Sequence, residues 1–216
     1  MTERSGGQTT ILDVDHLAVR RGSRIVLDEL SLSVDAGEIV GVTGKNGCGK
    51  STLLQCVAGV LPPRDGRITI DGASVWGSRD QRRQARTALG YVPEGADPPG
   101  FLLAGELWAL CATSRGAEPP SKPLRDALGL DELEGAALER MSLGQRRRAC
   151  LGAALIGPPR LLVLDEPDNG LDVKRLDALV VLLRDHAAGG LACILASHDA
   201  ALLDRLGART IAMREP

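Results

Sequence analysis

Residues 44–52 read GKNGCGKST and fit the spacing G-x-x-x-x-G-K-[ST] through Gly44, Gly49, Lys50 and Ser51. Glycines let successive backbone N–H groups of such a loop point inward, and a helix opening directly after it adds positive potential. The chemistry is phosphate binding. Lys45, Asn46, Gly47, Cys48 and Thr52 complete the loop, Lys50 reaches toward the β- and γ-phosphates, and Ser51 offers its hydroxyl to Mg²⁺. A nucleoside triphosphate is the expected ligand. Cys48 sits where a helix N-terminus favours thiolate, so an exposed Cys48 would be the most reactive thiol of the chain.

A second candidate is LLVLDEP at 161–167, where four apolar residues form a buried strand and Asp165 emerges at its C-terminal end. Ligands of open α/β sheets gather at such ends. Asp165 is therefore expected to hold the Mg²⁺, and Glu166 to polarise a water for attack on the γ-phosphate. His198, in SHD after the apolar run ACILAS, reaches the same sheet edge and could sense that phosphate. A third stretch, MSLGQRRR at 141–148, places Ser142, Gly144 and Gln145 at the start of a helix. This is a second small polar loop at a second helix N-terminus, either an anion site or an ordinary cap.

These residues need a scaffold, and the chain alternates strands with helices. Strands are expected at 11–19, 29–34, 38–43, 67–70, 89–92, 161–164, 192–197 and 210–213, and helices from Lys50 to about Gly59, at 173–188 and at 199–205. Residues 101–116, 122–134 and 142–156 read as mainly helical, which inserts a helical region near 95–157 into an α/β fold. A length of 216 residues with 44% apolar composition suits one domain with a sizeable core. A net charge of −2 argues against nucleic acid as a partner. Five singly scattered cysteines point to a reduced, cytosolic setting. MTERSGGQTT lacks the apolar core of a signal peptide, and no apolar run approaches the ~20 residues of a membrane span.

A phosphate loop, an S-L-G-Q helix start and LLVLDEP, in this order, resemble the ATP-binding cassette (ABC) ATPases from about Ile11 to Met213. The resemblance implies a P-loop core with an N-terminal antiparallel β subdomain and an inserted α-helical subdomain. One cassette would cover 1–216, with a core lobe at 1–94 and 158–216 and helices at 95–157. It also implies two cassettes packed head to tail, the loop of Ser142, Gly144 and Gln145 capping the γ-phosphate held by the other subunit. NGLD (169–172) matches the loop that meets that subunit, with Asp172 its usual acid. Met141 and Leu143 depart from the usual L-S-G-G-Q. Asp168 stands where serine or threonine is commoner. Glu94, in YVPE, replaces the usual glutamine while keeping an oxygen for the Mg²⁺ shell.

The family's aromatic base platform is missing from AVRRGSR, where counting back from the phosphate loop places Arg21, whose guanidinium can stack on a purine. Arg146–Arg148 then reads as a basic helix face. The expected function is the ATP-hydrolysing subunit of a transporter, with ATP and Mg²⁺ as cofactors. Its partners would be a second such subunit and an integral membrane permease, with this chain cytoplasmic and peripheral on the cytoplasmic face of the cell membrane. Small exporters resemble it most, and an ATPase energising assembly of a soluble complex is the alternative. The apolar crowd FLLAGELWALCA (101–112) is expected to leave part of itself, Trp108 included, for a permease helix.

Overall fold

The computed structural model describes residues 9–95 and 97–213; residues 1–8, 96 and 214–216, which the sequence assigns to the ends of the core lobe and to the insertion, lie outside the described residues. Two sheets organise the chain. The first is antiparallel, with strand order β2-β1-β4-β5, built from β1 (Thr10–Arg21), β2 (Arg24–Asp35), β4 (Asp65–Ile70) and β5 (Ala73–Ser74). β1 and β2 run to a two-residue turn, with Arg21 opposite Arg24, so both strands outlast the alternation that marks them in the sequence. Ladder hydrogen bonds extend the hairpin arms beyond the residues they bury.

The second sheet is parallel, in the order β6-β7-β8-β3-β9: β3 (Ile39–Thr43), β6 (Leu89–Val92), β7 (Leu161–Asp165), β8 (Ala192–Ala196) and β9 (Arg209–Ala212). Its central strands are apolar throughout because both faces are covered. Val40, Val42, Leu161, Val163 and Ile194 pack into one cluster with the antiparallel sheet and α1 (Lys50–Val57). Leu162, Leu164, Cys193 and Leu195 point the other way, into a cluster with α6 (Val173–Ala188) and α7 (Ala200–Leu206).

Between β6 and β7 run α3 (Ala104–Arg115), α4 (Lys122–Leu128), a 3₁₀ turn at Leu138–Arg140 and α5 (Leu143–Ala154). The helix expected over 122–134 stops at Leu128, because Gly129 takes the left-handed conformation (φ 58°) that ends helices. An additional helix, α2 (Arg79–Thr87), has no apolar stripe to announce it, since only Ala85 is buried. Its start is set by a reciprocal cap: Ser78 Oγ accepts from the Gln81 N–H, and Gln81 Oε1 accepts from the Ser78 N–H at 3.0 Å.

Two expectations about side chains are corrected here. Trp108 belongs to the interior, 1% exposed, and its Nε1–H donates to the Ala149 carbonyl of α5 at 2.9 Å. The exposed large apolar residues of the segment are Phe101, Leu103 and Leu110. The run Arg146–Arg148 is no basic face. Arg146 is half-buried and pairs with Asp97, while Arg147 and Arg148 are buried. Arg148 ties α5 to the end of α4 by donating to the Leu128 and Gly129 carbonyls and to Glu132 at 2.7 Å. A helix facing its own domain on most sides turns even arginines inward where carbonyls receive them.

Candidate nucleotide site

β7, β8 and β3 are neighbours, and their carboxyl ends deliver Asp165 and Glu166, Ser197 and His198, and the phosphate loop to one edge of the sheet. The loop itself turns into α1 at Gly49, whose φ of 103° only glycine holds without strain. No side chain caps α1, and its first turn holds no acid, so its first N–H groups stay open to an anion. Lys50 is buried and lies back along the loop, Nζ donating to the Gly44 carbonyl at 3.0 Å and approaching His198 Nε2 at 3.2 Å. A phosphate anion arriving here exchanges weak carbonyl acceptors for a charge-assisted one.

Glu166 is the strained member. Its φ is +48°, a left-handed conformation rare outside glycine, and it is held there by its N–H on the Ala196 carbonyl at 2.9 Å. Its carboxylate sits against His198, with Oε1 3.2 Å from Nε2 and Oε2 accepting from the His198 N–H at 3.4 Å. Burial raises the Glu166 pKa above the usual carboxylate range, opposed first by the attraction of His198. Asp165 is raised as well, by burial above all, with a Ser51 hydrogen bond working against it and the charge of Glu94 adding to it.

Asp165 Oδ1 is buried without a hydrogen-bond partner, while the Ser51 hydroxyl bonds to the same carboxyl group. An orphaned carboxylate oxygen beside a hydroxyl, with Glu94 lining the same space, suits a hard divalent cation such as Mg²⁺. No cluster of three or more His, Cys, Asp or Glu that could hold a metal occurs among the described residues, so a cation here would take its remaining ligands from phosphate and water.

The cavity over this edge measures about 490 Å³ and is lined by Asn46, Gly47, Lys50, Ser51, Glu166 and His198, among others. Arg21, Arg24 and Val26 also reach it from the β1–β2 hairpin, so Arg21 stands at the mouth as counted from the sequence. Its guanidinium is occupied by Gln55, Nη2 donating to Oε1 at 2.9 Å. Arg24 and Val26 escaped the sequence reading because only the paired hairpin brings them over the loop. Cys48 contributes backbone but no accessible thiol. Its side chain is 1% exposed, and its Sγ fills the space where a Cβ on Gly44 would fall, 2.7 Å away.

The second polar loop lies apart from this cavity. Ser142 caps α5, its Oγ accepting from the Gln145 N–H at 3.3 Å, while Gln145 Oε1 accepts from the Ser142 N–H at 2.8 Å. Gly144 has a local reason to be glycine: a Cβ there would stand 2.0 Å from the Gly170 carbonyl. The α5 start is thereby seated on the 169–172 loop of its own chain. Asp172 ends that loop as the N-cap of α6, Oδ1 accepting from the Arg175 N–H at 2.8 Å. Asp168 accepts from Ser197 Oγ at 3.0 Å.

Residues 5–169 of the chain match the family model described as ABC transporter. The chain belongs to the ABC transporter family, and it is an ATP-hydrolysing cassette of that family. It is 38% identical over 202 residues to a Streptomyces avermitilis protein named as an ABC transporter ATP-binding protein; that match takes in 92% of this chain but only 35% of the longer relative. A zinc import ATP-binding protein of Cereibacter sphaeroides is 35% identical, covering 88% of this chain and 73% of its own. A cytochrome c biogenesis ATP-binding export protein of Gluconobacter oxydans is 36% identical, covering 90% and 84%. A solved structure described as the ATP binding subunit of an ABC transporter superposes with a TM-score of 0.88 at 27% identity, over 95% of this chain and 87% of that one. The antiparallel sheet, the parallel P-loop core and its helices are the cassette fold.

Proposed function

We propose that two copies of this cassette close head to tail around ATP, and that hydrolysis reopens them to drive a separate membrane permease. The observation that carries this reading is the Lys50–His198–Glu166 cluster at the mouth of the phosphate loop, both contacts at 3.2 Å. Glu166 is the general base: its buried carboxylate, held against His198, faces the space where the γ-phosphate ends. His198 orients that carboxylate and passes the presence of phosphate on to it. Lys50 leaves the Gly44 carbonyl to neutralise the β- and γ-oxygens. Asp165, Ser51 and Glu94 would hold Mg²⁺, which when bound neutralises charge developing on the phosphoryl oxygens. Arg21, released from Gln55, would lie over the base.

Ser142, the N–H groups of Leu143 and Gly144, and Gln145 face the partner's ATP in the same scheme, and Asp172 meets the opposite subunit. The cassette divides as a core lobe, 1–94 and 158–216, and a helical part, 95–157. No helix among the described residues is long and apolar enough to cross a membrane. Phe101, 77% exposed, with Leu103 and Leu110 forms the apolar face on which a permease helix docks. We assign export, from Glu94 in place of glutamine and the S-L-G-Q signature.

Co-purification from native membranes tests the assignment. The parent chain should bring down an integral membrane protein, and Phe101→Ser with Leu110→Ser should lose it. Recovery of soluble partners alone sinks the transporter reading in favour of an assembly ATPase. Substrate accumulating on the cassette-free side of inverted vesicles supports export, and ATP-driven movement toward the cassettes reverses that direction.

A further inference from the structure

The short helix α2 carries Arg79, Arg82, Arg83 and Arg86. Their spacing of i, i+3, i+4 and i+7 puts all of them on one face, an arc of about 100°. Each is exposed, and among the described residues no side-chain hydrogen bond or ion pair reaches any of them. Elsewhere the chain pairs its arginines: Arg125, Arg148, Arg205 and Arg209 each meet a carboxylate within 2.7 Å. Like charges three and four residues apart repel across a helix surface, and Asp80 is the one acid of α2. The helix buries only Ala85, so packing does little to hold the stripe in place. It keeps its shape at an electrostatic cost that an arriving anion would remove.

The stripe lines one wall of a cavity of about 780 Å³, and Ser114 and Arg115 at the end of α3 line another. Arg115 fixes that wall, Nη1 donating to the Ile156 carbonyl at 2.6 Å and Nη2 to the Leu89 carbonyl at 2.8 Å. Five guanidinium groups thus border a space that holds a single carboxylate, Asp80. Its described lining has no aromatic or aliphatic residue, so it offers nothing to a purine or an acyl chain. The volume suits a small molecule, since ligand cavities run to about 300–1,000 Å³. Planar guanidinium forks match the oxygens of phosphate groups. The cavity lies at the amino end of β6 and shares no lining residue with the nucleotide cavity at the carboxyl ends of the strands.

We propose that α2 and the end of α3 form a second anion site, which takes a small soluble anion bearing several phosphate groups and no base. Bound there, the anion neutralises the arginine stripe and ties the helical insertion to the start of β6, the strand that leads to Glu94. None of its residues belongs to the nucleotide site, so it stands or falls independently of the ATPase reading.

Calorimetric titration tests it, with inorganic tripolyphosphate as the probe, at low salt and without divalent metal. The full chain carries Lys50→Ala, which takes the lysine out of the phosphate loop. Tripolyphosphate should still bind, and Arg82→Gln with Arg86→Gln should weaken it by about tenfold or more. Asp80→Asn should tighten it by about twofold. Arg64→Gln with Arg67→Gln removes the same charge from exposed positions outside the cavity and should change affinity by less than about twofold. Without ligand, the Arg82 and Arg86 double variant should melt no lower than its parent, because repulsion along α2 is relieved. Tripolyphosphate should raise the melting of the parent and not of that variant. If Lys50→Ala does not fold, the same substitutions in the parent chain should remove one of two tripolyphosphate sites.

Equal weakening by the Arg64 and Arg67 pair would show a response to net charge with no site, and overturns the proposal. Affinity untouched by the α2 substitutions does the same. A ligand-free double variant that melts clearly below its parent would mean that the stripe is already satisfied within the chain, which also overturns it. Sedimentation with vesicles of equal parts phosphatidylcholine and phosphatidylglycerol supplies the remaining arm. Pelleting that depends on Arg82 and Arg86, while tripolyphosphate fails to bind, gives the stripe to a membrane surface and defeats the soluble anion.

Discussion

The two helices that open on small polar loops, α1 and α5, finish their N-termini in opposite ways. α1 begins at Gly49 with no side-chain cap, so its first N–H groups stay open to water or a ligand. α5 begins at a closed cap in which Ser142 and Gln145 satisfy each other. Neither first turn carries an acid, so both keep the positive end of the helix free of local neutralisation. The first is an anion site complete in one chain. The second is a stable helix start that retains the Ser142 hydroxyl and the N–H groups of Leu143 and Gly144 for a visitor. Such a loop can be held ready on one subunit while the phosphate it meets belongs to another.

The sharpest way to separate the two regions is to stop chemistry at the first while leaving the second untouched. Glu166→Gln should bind ATP normally and lose about 10²–10⁴-fold in turnover, the range expected for removing a general base. The same variant should accumulate as a dimer with ATP on size exclusion with light scattering, since closure no longer ends in hydrolysis. Turnover near the parent's would remove Glu166 from the mechanism. A monomeric, ATP-loaded variant would leave the α5 loop without its role.

The second region can be broken from beneath. Trp108 packs α3 against α5, filling the interior next to Leu130 and Gly152 as well as bonding Ala149. Trp108→Ala should cost about 3–5 kcal/mol of stability, as loss of a large buried aromatic usually does. Urea unfolding followed by circular dichroism measures it. A loss below about 1 kcal/mol would mean that the side chain is not packed as a core residue.

Trp108 also marks what the sequence could and could not say. Strong local patterns were legible: the phosphate loop, the apolar run before Asp165 and the 16-residue α6 all lie where the spacing puts them. The sequence showed a crowded apolar stretch at 101–112 but not its sidedness, which depends on where α5 passes. That passage buries Trp108 and leaves Phe101 and Leu110 outside. Arg147 is the same case in charge. Three consecutive arginines read as a solvated face until a helix packed on several sides turns two of them inward. Arg24 and Val26 reach the nucleotide cavity through the long-range pairing of β1 and β2, which no local window contains. Of α2 only the cap was written, in Ser78 and Gln81, because the helix buries almost nothing.

A smaller effect tests the cap that distinguishes α5. Ser142→Ala removes one half of the reciprocal bond and should cost about 1 kcal/mol of stability, within the range for lost N-caps. The same change should weaken ATP-driven dimerisation of the Glu166→Gln chain, because it removes the hydroxyl offered across the interface. Ser142→Asp keeps a capping oxygen and so restores stability, but it places a carboxylate against the partner's γ-phosphate. Dimerisation should then fall further while melting recovers. If both quantities track each other across the two variants, the loop is a cap and nothing more.

The smallest expected effect belongs to the first region and is read through pH. Asp165 has a folded-state pKa above its ordinary 3.8, from burial first and from the charge of Glu94 in addition. The folded chain therefore holds the Asp165 proton more tightly than the unfolded chain does, and ionised Asp165 lowers the stability of the nucleotide-free protein. That penalty is fully present above the raised pKa, diminishes as pH falls through it, and is gone below 3.8. Asp165→Asn removes the charge at nearly constant shape. Without nucleotide it should melt slightly above the parent at pH 7, and the difference should close as the buffer is taken from pH 7 toward about 4. Adding Mg·ATP at pH 7 should reverse the order, because the parent's carboxylate then gains a cation that asparagine binds weakly. Melting scans of both proteins, with and without Mg·ATP, measure all of these differences in one series. An Asp165→Asn chain that melts below the parent without nucleotide would mean that the unpartnered Oδ1 is no burden to the empty site. The open N-terminus of α1 and the unpartnered Asp165 Oδ1 beside it would then not be two parts of one preparation for Mg·ATP.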